Sequence, residues 1–335
     1  MFAVGWLAAG FLVSPVKAIT VANGDPSSLV VGYDQSADGI NMSGVVMIVS
    51  SGIGGCTGSL LGDGTSILTA GHCVSSSYGG FVSPDITVYF QGPNGFIAYT
   101  AASVSVDPQW NGTSTDGGDL AVIHLAQLAP AFATRYDLDP LPVGTGPEVL
   151  AGYGYGGTGT GGYNTSLYDS LRVGENEYVY NGIALGWSST MLVGQFYENG
   201  VSSTNALHAS NPYSAVDEVD IAPGDSGGPT FYDGEIVGVH DVSACVTNTQ
   251  NSSECAVPPA LSTTNNSSFG DLFGDTGVNS NLSWIEDQEA PEPRTLSMMV
   301  GAIMAALLLR NLKAKPETAK IAERAGRIST RQSRG

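Results

Sequence analysis

The chain has 335 residues, of which 42% are hydrophobic, and its formal net charge is −19. This length accommodates one large domain or two of ordinary size, and the apolar fraction is sufficient for a sizeable core. Between Ile19 and Ala290 the only basic residues are Arg135 and Arg172, against 28 acidic ones. Because proteins bind nucleic acid by contacting phosphate with Lys and Arg, the composition excludes nucleic acid as a partner.

The N-terminus has the composition of an export signal. Residues Phe2 to Val13 are almost wholly apolar, and Val16-Lys17-Ala18 follows them. This pattern is typical of a signal peptide at residues 1–18 and predicts cleavage after Ala18. The alternative is a buried N-terminal strand. Residues 19–29 are mostly polar, and we interpret them as a linker or a short propeptide.

The body of the chain has the pattern of a β protein. Glycine is frequent, with 45 residues, and helical periodicity is largely absent before the C-terminus. Short apolar runs bounded by turn residues predict strands at 44–50, 54–61 and 66–70. The glycine-rich stretch 156–162 predicts a flexible loop. These features favour an all-β fold with many turns.

A serine stands on what the sequence indicates is a tight turn, Gly224-Asp225-Ser226-Gly227-Gly228-Pro229. Glycines let the backbone bend sharply and let a substrate approach closely. Such a turn aims backbone N–H groups at one point, as a developing oxyanion requires. A serine hydroxyl alone is a poor nucleophile, so the hypothesis requires a base and a carboxylate elsewhere in the chain.

Three segments resemble the chymotrypsin/trypsin-like serine proteases (peptidase S1). They are the stretch Cys56 to Cys73 with Thr69-Ala70-Gly71-His72-Cys73, the strand Asp119 to Leu125, and the turn Gly224 to Pro229. The order His, Asp, Ser is the one this family uses. The resemblance covers roughly Val30 to Trp284.

The resemblance implies two antiparallel six-stranded β-barrels with the active site in the cleft between them. We expect the protease domain at residues 30–285, with the first barrel at about 30–140 and the second at about 141–285.

The same resemblance implies roles for the matching residues. Ser226 would attack the scissile carbonyl, His72 would act as general base and then general acid, and Asp119 would orient the imidazole. The N–H groups of Gly224 and Ser226 would form the oxyanion hole. The implied activity is that of a serine endopeptidase acting on protein or peptide substrates, without metal or cofactor. The alternatives are a catalytically silent homologue that serves as a surface binding module, and a non-peptidase esterase.

The substrate-binding residues also follow from the resemblance. Asp220 lies six residues before Ser226, where trypsin-like members have the floor of the primary pocket. A buried carboxylate at this place would select Lys or Arg. The alternative is that Asp220 belongs to an exposed acidic run at 217–220. His240 and Ser243 are expected beside the cleft, and His240-Asp241 is the one rival His/Asp pair.

An activation step is implied as well. In the family the residue before the nucleophile forms a salt bridge with a new α-amino group, which here would join Asp225 to Val30. Val30-Val31-Gly32-Tyr33 resembles the family's Ile-Val-Gly-Gly start, so the hypothesis is cleavage after Leu29.

Four cysteines in a chain with export signals indicate two disulfides. The resemblance implies the pair Cys56–Cys73, and the second pair would be Cys245–Cys255. The alternative is free buried thiols. No CxxC is present and the four histidines are scattered, so no metal site is expected.

The C-terminal region has the order of a sorting signal. Ala290-Pro291-Glu292-Pro293 precedes a mostly apolar run of 15 residues, Thr295 to Leu309, and basic residues follow. A membrane-spanning helix needs about 20 residues. The order resembles the PEP-CTERM signal of Gram-negative bacteria.

This second resemblance implies that the segment at 286–315 contacts the membrane and is removed by an exosortase-type enzyme, ahead of a basic tail at 316–335. The alternative is a permanent tail anchor. The expected location is secreted or at the cell surface.

Overall fold

The computed structural model describes residues 19–289, except 34, 145, 211, 216 and 246–265. The predictions for the signal peptide, for the C-terminal sorting segment and for Cys255 lie outside the described residues. Within residues 19–289, apart from those gaps, no helix has the length and apolar character needed to cross a membrane.

The described residues form an all-β structure with a single α-helix at its end, as the sequence predicts. The strands are β1 (Ile19–Val21), β2 (Ser36–Ala37), β3 (Ile40–Asn41), β4 (Val45–Ser50), β5 (Gly54–Leu60), β6 (Ser66–Thr69), β7 (Ile86–Gly92), β8 (Gly95–Val106), β9 (Ala121–Leu125), β10 (Glu148–Gly152), β11 (Gly156–Thr158), β12 (Gly162–Tyr163), β13 (Arg172–Asn176), β14 (Tyr178–Asn181), β15 (Met191–Gln195), β16 (Val219–Asp220), β17 (Pro229–Tyr232), β18 (Glu235–Cys245) and β19 (Asp271–Gly277). The helix α1 spans Val278–Gln288.

Strands β4 to β9 close into a six-stranded barrel in the order β4-β5-β6-β9-β8-β7. Along β7, buried residues alternate with partly exposed ones, which is the pattern of an antiparallel strand with one face on the core. The interior is filled by branched and aromatic side chains, among them Ile48, Leu60 and Phe90, all fully buried. This is the first of the two barrels that the sequence predicts.

The second half forms a seven-stranded sheet in the order β13-β10-β17-β18-β19-β15-β14. The sheet curls into a half-barrel, so the prediction of a second closed six-stranded barrel is corrected. The sheet has β13 at one edge and β14 at the other. These two strands follow each other in the chain but do not pair, because β14 pairs with β15 instead. The all-β class and the chymotrypsin-like arrangement of the two halves hold.

Residues 19–29, interpreted from sequence as a linker or propeptide, begin with a buried strand. In a separate four-stranded sheet, β1 lies between β11, to which it is parallel, and β16, to which it is antiparallel. Ile19 and Val21 are buried, at 0% and 1% exposure. The glycine-rich stretch predicted as a flexible loop supplies β11 and β12, which pair as a hairpin.

Strand pairing in the first barrel brings the histidine and aspartate segments together. Thr69, the last residue of β6, pairs with Ala121, the first residue of β9. His72 follows β6 and Asp119 precedes β9, so both lie beyond the same edge of the barrel. The pairing of β6 with β9 therefore places the base and the carboxylate side by side.

Candidate active site

His72 and Asp119 form a direct hydrogen-bonded pair. His72 lies in a 3-10 turn, Gly71–Cys73, directly after β6. Its Nδ1–H donates to Asp119 Oδ2 at 2.7 Å, and its backbone N–H donates to Asp119 Oδ1 at 2.7 Å. The imidazole is 28% exposed, whereas the carboxylate is fully buried. With Nδ1 bound to the carboxylate, Nε2 is the ring nitrogen available to exchange a proton.

Two further side chains hold this pair. The Ser114 hydroxyl donates to Asp119 Oδ2 at 2.6 Å. The Trp110 ring lies 6.4 Å from the His72 ring, centroid to centroid, and its Nε1–H donates to the Ser75 carbonyl at 3.2 Å. The carboxylate thus accepts three hydrogen bonds, which compensate for its removal from water.

The serine turn lies between β16 and β17 and requires glycine at two places. Gly224 has φ +99° and Gly227 has φ +79°, both in the region that side chains other than glycine rarely adopt. A Cβ on Gly227 would lie 2.0 Å from the Thr69 hydroxyl and 2.4 Å from the Thr57 carbonyl oxygen. The turn therefore packs directly against strands of the first barrel, and Ser226 itself is partly exposed.

Thr57 on β5 connects the serine turn to the first barrel. Its N–H donates to the Ser226 carbonyl at 2.8 Å, and its hydroxyl donates to the Gly224 carbonyl at 2.9 Å. The same hydroxyl accepts from the Tyr153 N–H at 2.9 Å, and the Thr57 carbonyl accepts from the Thr69 hydroxyl at 2.8 Å. The bonds to Ser226, Gly224 and Tyr153 cross the boundary between the two halves of the site, whereas the bond from Thr69 lies within the first barrel.

The N–H groups of the serine turn divide into two sets. Those of Asp225, Gly227 and Gly228 donate to the carbonyls of Ala222, His240 and Asp225, at 2.7 to 2.9 Å. Among the described residues, the N–H groups of Gly224 and Ser226 have no acceptor. These two are the N–H groups that are expected from the sequence to form an oxyanion hole.

Asp225 is fully buried beneath the turn. Its Oδ1 accepts from the Gly154 N–H and its Oδ2 from the Ala222 N–H, both at 2.8 Å. Burial raises the pKa of Asp225 to about 6, against the lowering effect of these hydrogen bonds and of the nearby Arg172. In the described chain Val30 lies elsewhere: its N–H donates to the Ser27 carbonyl at 3.4 Å. The expected Val30–Asp225 salt bridge is therefore not formed in this uncleaved chain.

A pocket of about 320 Å³ opens beside Ser226. Ser243, expected beside the cleft, lines it, and so do its strand neighbours Asp241 and Val242. The rest of the wall comes from three segments, at Tyr163, at Ile221, Ala222 and Pro223, and at Ser267. The pocket is therefore bounded mainly by small and apolar side chains, with Asp241 as its one carboxylic acid.

Asp220 is buried next to Ile221 of this wall and is not itself among the residues that line the pocket. It is 0% exposed, so it does not belong to an exposed acidic run. Its Oδ1 accepts from the Ile221 N–H at 2.9 Å, and its Oδ2 has no hydrogen-bond partner among the described residues. Burial raises its pKa well above the usual range, and the Asp271 carboxyl raises it further.

The structure corrects the expectation for His240, which does not line the pocket. It is 0% exposed, and its Nδ1 lies 3.1 Å from both carboxylate oxygens of Asp275 on β19. The Tyr178 and Thr230 hydroxyls donate to the same carboxylate at 2.5 and 2.6 Å. A bulge in β18 explains the difference, because it directs His240 into the interior and Asp241 toward the pocket.

The predicted disulfide Cys56–Cys73 is present, with a Cα–Cα distance of 6.0 Å. It ties β5 to the turn that carries His72. Cys245 is also disulfide-bonded, and the expected partner Cys255 lies outside the described residues. The group Cys56, His72 and Cys73 is therefore not a metal site, since its sulfurs are oxidised. The other compact group of potential ligands, His72, Asp119 and Asp241, contains the hydrogen-bonded pair itself.

Three residues of the site were missed by sequence reasoning. Thr57 and Ser114 are ordinary polar residues in their segments, and only the fold shows what their hydroxyls contact. Asp241 was considered only as the partner of His240, and the bulge that separates the two leaves no pattern in the sequence.

Comparison with known families agrees with this geometry. The family model Trypsin matches residues 30–258. Because this is more than half of the chain, the chain belongs to the trypsin family. It is a serine endopeptidase.

The solved structures include mouse neuropsin, a serine protease expressed in the limbic system of the brain. The similarity covers 78% of this chain and 98% of that chain, with a TM-score of 0.54 and 15% sequence identity. At this identity the likeness shows the fold alone. No curated protein matches the sequence.

Gly227 and Gly234, which lies in the β17–β18 turn, should respond differently to substitution by alanine. Both have positive φ, but a Cβ on Gly234 meets nothing within 4 Å. Gly234→Ala should cost only the backbone strain, about 1 kcal/mol of unfolding free energy, and leave kcat/KM near the parent value. Gly227→Ala should displace the serine turn and lower kcat/KM by about 100-fold or more. Equal effects of the two variants on kcat/KM would contradict the contact described here.

Proposed function

We propose that the protein hydrolyses peptide bonds through a triad of Ser226, His72 and Asp119 and an acyl-enzyme intermediate. The observation that carries the proposal is the His72–Asp119 hydrogen bond of 2.7 Å beside a turn that presents Ser226 to the pocket. In this proposal Ser226 Oγ attacks the substrate carbonyl carbon while His72 Nε2 accepts the hydroxyl proton. Asp119 keeps the proton on Nδ1 and stabilises the imidazolium that forms.

The tetrahedral intermediate needs donors for its negative oxygen. The N–H groups of Gly224 and Ser226 are suited to this role, because they alone in the turn lack an acceptor among the described residues. When the intermediate collapses, His72 gives its proton to the leaving amine and the acyl group remains on Ser226. Water then attacks the ester with His72 again as base, which releases the acid and restores the serine.

We further propose a preference for Lys or Arg on the acyl side of the scissile bond. Asp220 supports it, since this buried carboxyl belongs to the residue next to Ile221 of the pocket wall and has one oxygen without a hydrogen-bond partner among the described residues. Because burial raises the pKa of Asp220, an entering cation must be accompanied by ionisation of the carboxyl. The preference for a basic side chain should therefore grow as the pH rises.

The activating amino group, in our proposal, belongs to Ile19 and arises when the signal peptide is removed after Ala18. Cleavage after Leu29 would release β1 and expose Ile19 and Val21, which are now buried between β11 and β16. The ammonium group of Ile19 would lie near Asp220, because Asp220 pairs with Thr20, the next residue in the chain. The chain between Ile19 and Ala290 has only two arginines and no lysine, so a further cation would compensate buried carboxyls.

We also propose that the enzyme is exported and that an exosortase-type enzyme removes the segment at 286–315. The supporting observations are the apolar N-terminal run, the order Pro-Glu-Pro, apolar run, basic residues, and the disulfide Cys56–Cys73, which suits an oxidising compartment.

The nucleophile is tested by labelling with a fluorophosphonate. The parent protein should gain one covalent adduct on Ser226, and the Ser226→Ala variant should gain none, because the attacking oxygen is gone. Ser280→Ala, which changes an exposed serine on α1, is the matched control and should still be labelled. A parent protein that is folded but unlabelled would instead favour the silent binding module.

Mass spectrometry of the same labelled protein identifies its termini. The proposal predicts a first residue Ile19 and a last residue before Thr295. A first residue Val30 would instead support activation by cleavage after Leu29, and a retained C-terminus would support a tail anchor.

The substrate preference is tested with a peptide library at two pH values. Cleavage after Arg and Lys should dominate, and its rate relative to cleavage after neutral residues should increase as the pH rises. Asp220→Asn should abolish this increase, because the amide cannot ionise. Cleavage only after small or aromatic residues in the parent enzyme would contradict the preference.

A further inference from the structure

Asp241 occupies an unusual position in the second sheet. On β18 its neighbours His240 and Val242 pair with Asp275 and Gly274, which are consecutive on β19. Asp241 is therefore the extra residue of a β-bulge, and it has no opposite residue on β19. Bulges redirect side chains, and this one turns Asp241 away from the strand alternation toward the catalytic groups.

The contacts of Asp241 leave one of its oxygens unused. Its Oδ2 accepts from the Thr276 hydroxyl. Its Oδ1 is buried and has no hydrogen-bond partner among the described residues. A carboxyl oxygen of Asp241 lies within 4.8 Å of both a ring nitrogen of His72 and a carboxylate oxygen of Asp119. The side chain is only 6% exposed and forms part of the wall beside Ser226.

The charges around Asp241 disfavour a second anion. Burial raises its pKa well above the usual range, and the carboxylates of Asp119 and then Asp275 raise it further, against the hydrogen bond from Thr276. The other titratable groups close to Asp241 are His72 after β6, with a ring nitrogen within 4.8 Å, and its strand neighbour His240. Two carboxyls at this separation in a buried site cannot both ionise cheaply, so one of them keeps a proton.

We propose that Asp241 is a positioning residue that acts as a neutral carboxylic acid, whose hydroxyl donates a hydrogen bond to the Asp119 carboxylate. This inference rests on the proposed triad and deepens it. The bond would keep the negative charge on Asp119, where it accepts the His72 Nδ1–H, and would add a fourth donor to that carboxylate. Asp241 touches no reacting atom in this role.

The neutral acid has a consequence for pH. Because the pKa of Asp241 is raised in the folded state, its contribution to stability is complete at low pH and is lost as the pH rises through the folded value. Ionisation would replace the donor by a second anion beside Asp119. We therefore expect the parent enzyme to lose activity and stability, as the pH rises above the usual range of aspartate, faster than a variant that cannot ionise at this position.

The test compares Asp241→Asn and Asp241→Ala with the parent enzyme across the pH range. Asparagine is neutral and keeps a donor, so its kcat should exceed that of the alanine variant by about threefold or more, and the acid limb of the pH profile should not move. Alanine removes the donor, so kcat should fall about tenfold with KM nearly unchanged. The loss of stability with rising pH should diminish in both variants.

Two results would overturn the inference. If Asp241 is ionised in the parent enzyme, Asp241→Asn removes a negative charge near His72 and lowers the pKa of the acid limb by about one unit or more. If the donor is irrelevant, Asp241→Ala has the parent kcat. If the alanine variant does not fold, the position of the acid limb in the pH profile of Asp241→Asn still decides whether Asp241 is neutral in the parent enzyme. Fluorophosphonate labelling of each variant separates failure of this inference from failure of the triad, because an unlabelled parent enzyme would contradict the triad itself.

Discussion

The site depends on a single buried threonine that joins its two halves. Thr57 stands on the first barrel, yet its N–H and hydroxyl bind the carbonyls of Ser226 and Gly224 in the serine turn. The hydroxyl also accepts from Tyr153 beside the second sheet. Because Thr57 is fully buried, the Gly224 carbonyl and the Tyr153 N–H would lose this partner if the hydroxyl were removed, and unpartnered buried groups cost about 1–3 kcal/mol each. The position of the serine turn is thus fixed by the hydroxyl and the N–H of one residue of the first barrel.

Around this joint the interior is unusually acidic. Asp119, Asp220, Asp225 and Asp241 are all buried, and the chain body has only two arginines to balance them. The structure deals with the four carboxyls in different ways. Asp119 accepts three hydrogen bonds, and burial raises the pKa of Asp225 to about 6. Burial raises the pKa of Asp220 and Asp241 well above the usual range. Similar side chains are therefore held in different electrostatic environments within one site.

Much of this could be predicted from sequence, for a physical reason. His72, Asp119 and the Cys56–Cys73 disulfide are predicted from short motifs that resemble those of a serine protease family. The structure brings His72 and Asp119 together because β6 pairs with β9, which is three strands later in the chain. The glycines around Ser226 are visible because only glycine fits their backbone. Each of these signals is local to a few residues or to neighbouring strands.

The features that sequence missed are non-local. Strand β1 is three residues long, and its burial depends on partners more than 130 residues away. The seventh strand of the second sheet depends on which edge β14 joins. A bulge in β18 places Asp241, instead of the expected His240, at the pocket. A bulge inserts one residue into a strand without any change in composition, so the sequence does not reveal it. The contacts of Thr57 and Ser114 are likewise made only once the barrel has closed.

The most direct measurement is kcat/KM for Thr57→Val and Thr57→Ser, with the thermal unfolding midpoint of each. Valine keeps the shape of threonine but removes the hydroxyl that binds Gly224 and Tyr153. The account predicts that valine lowers kcat/KM by about 100-fold or more, while serine, which keeps the hydroxyl, stays within about tenfold. A folded Thr57→Val enzyme with parent activity would contradict the claim that this residue holds the nucleophile in place.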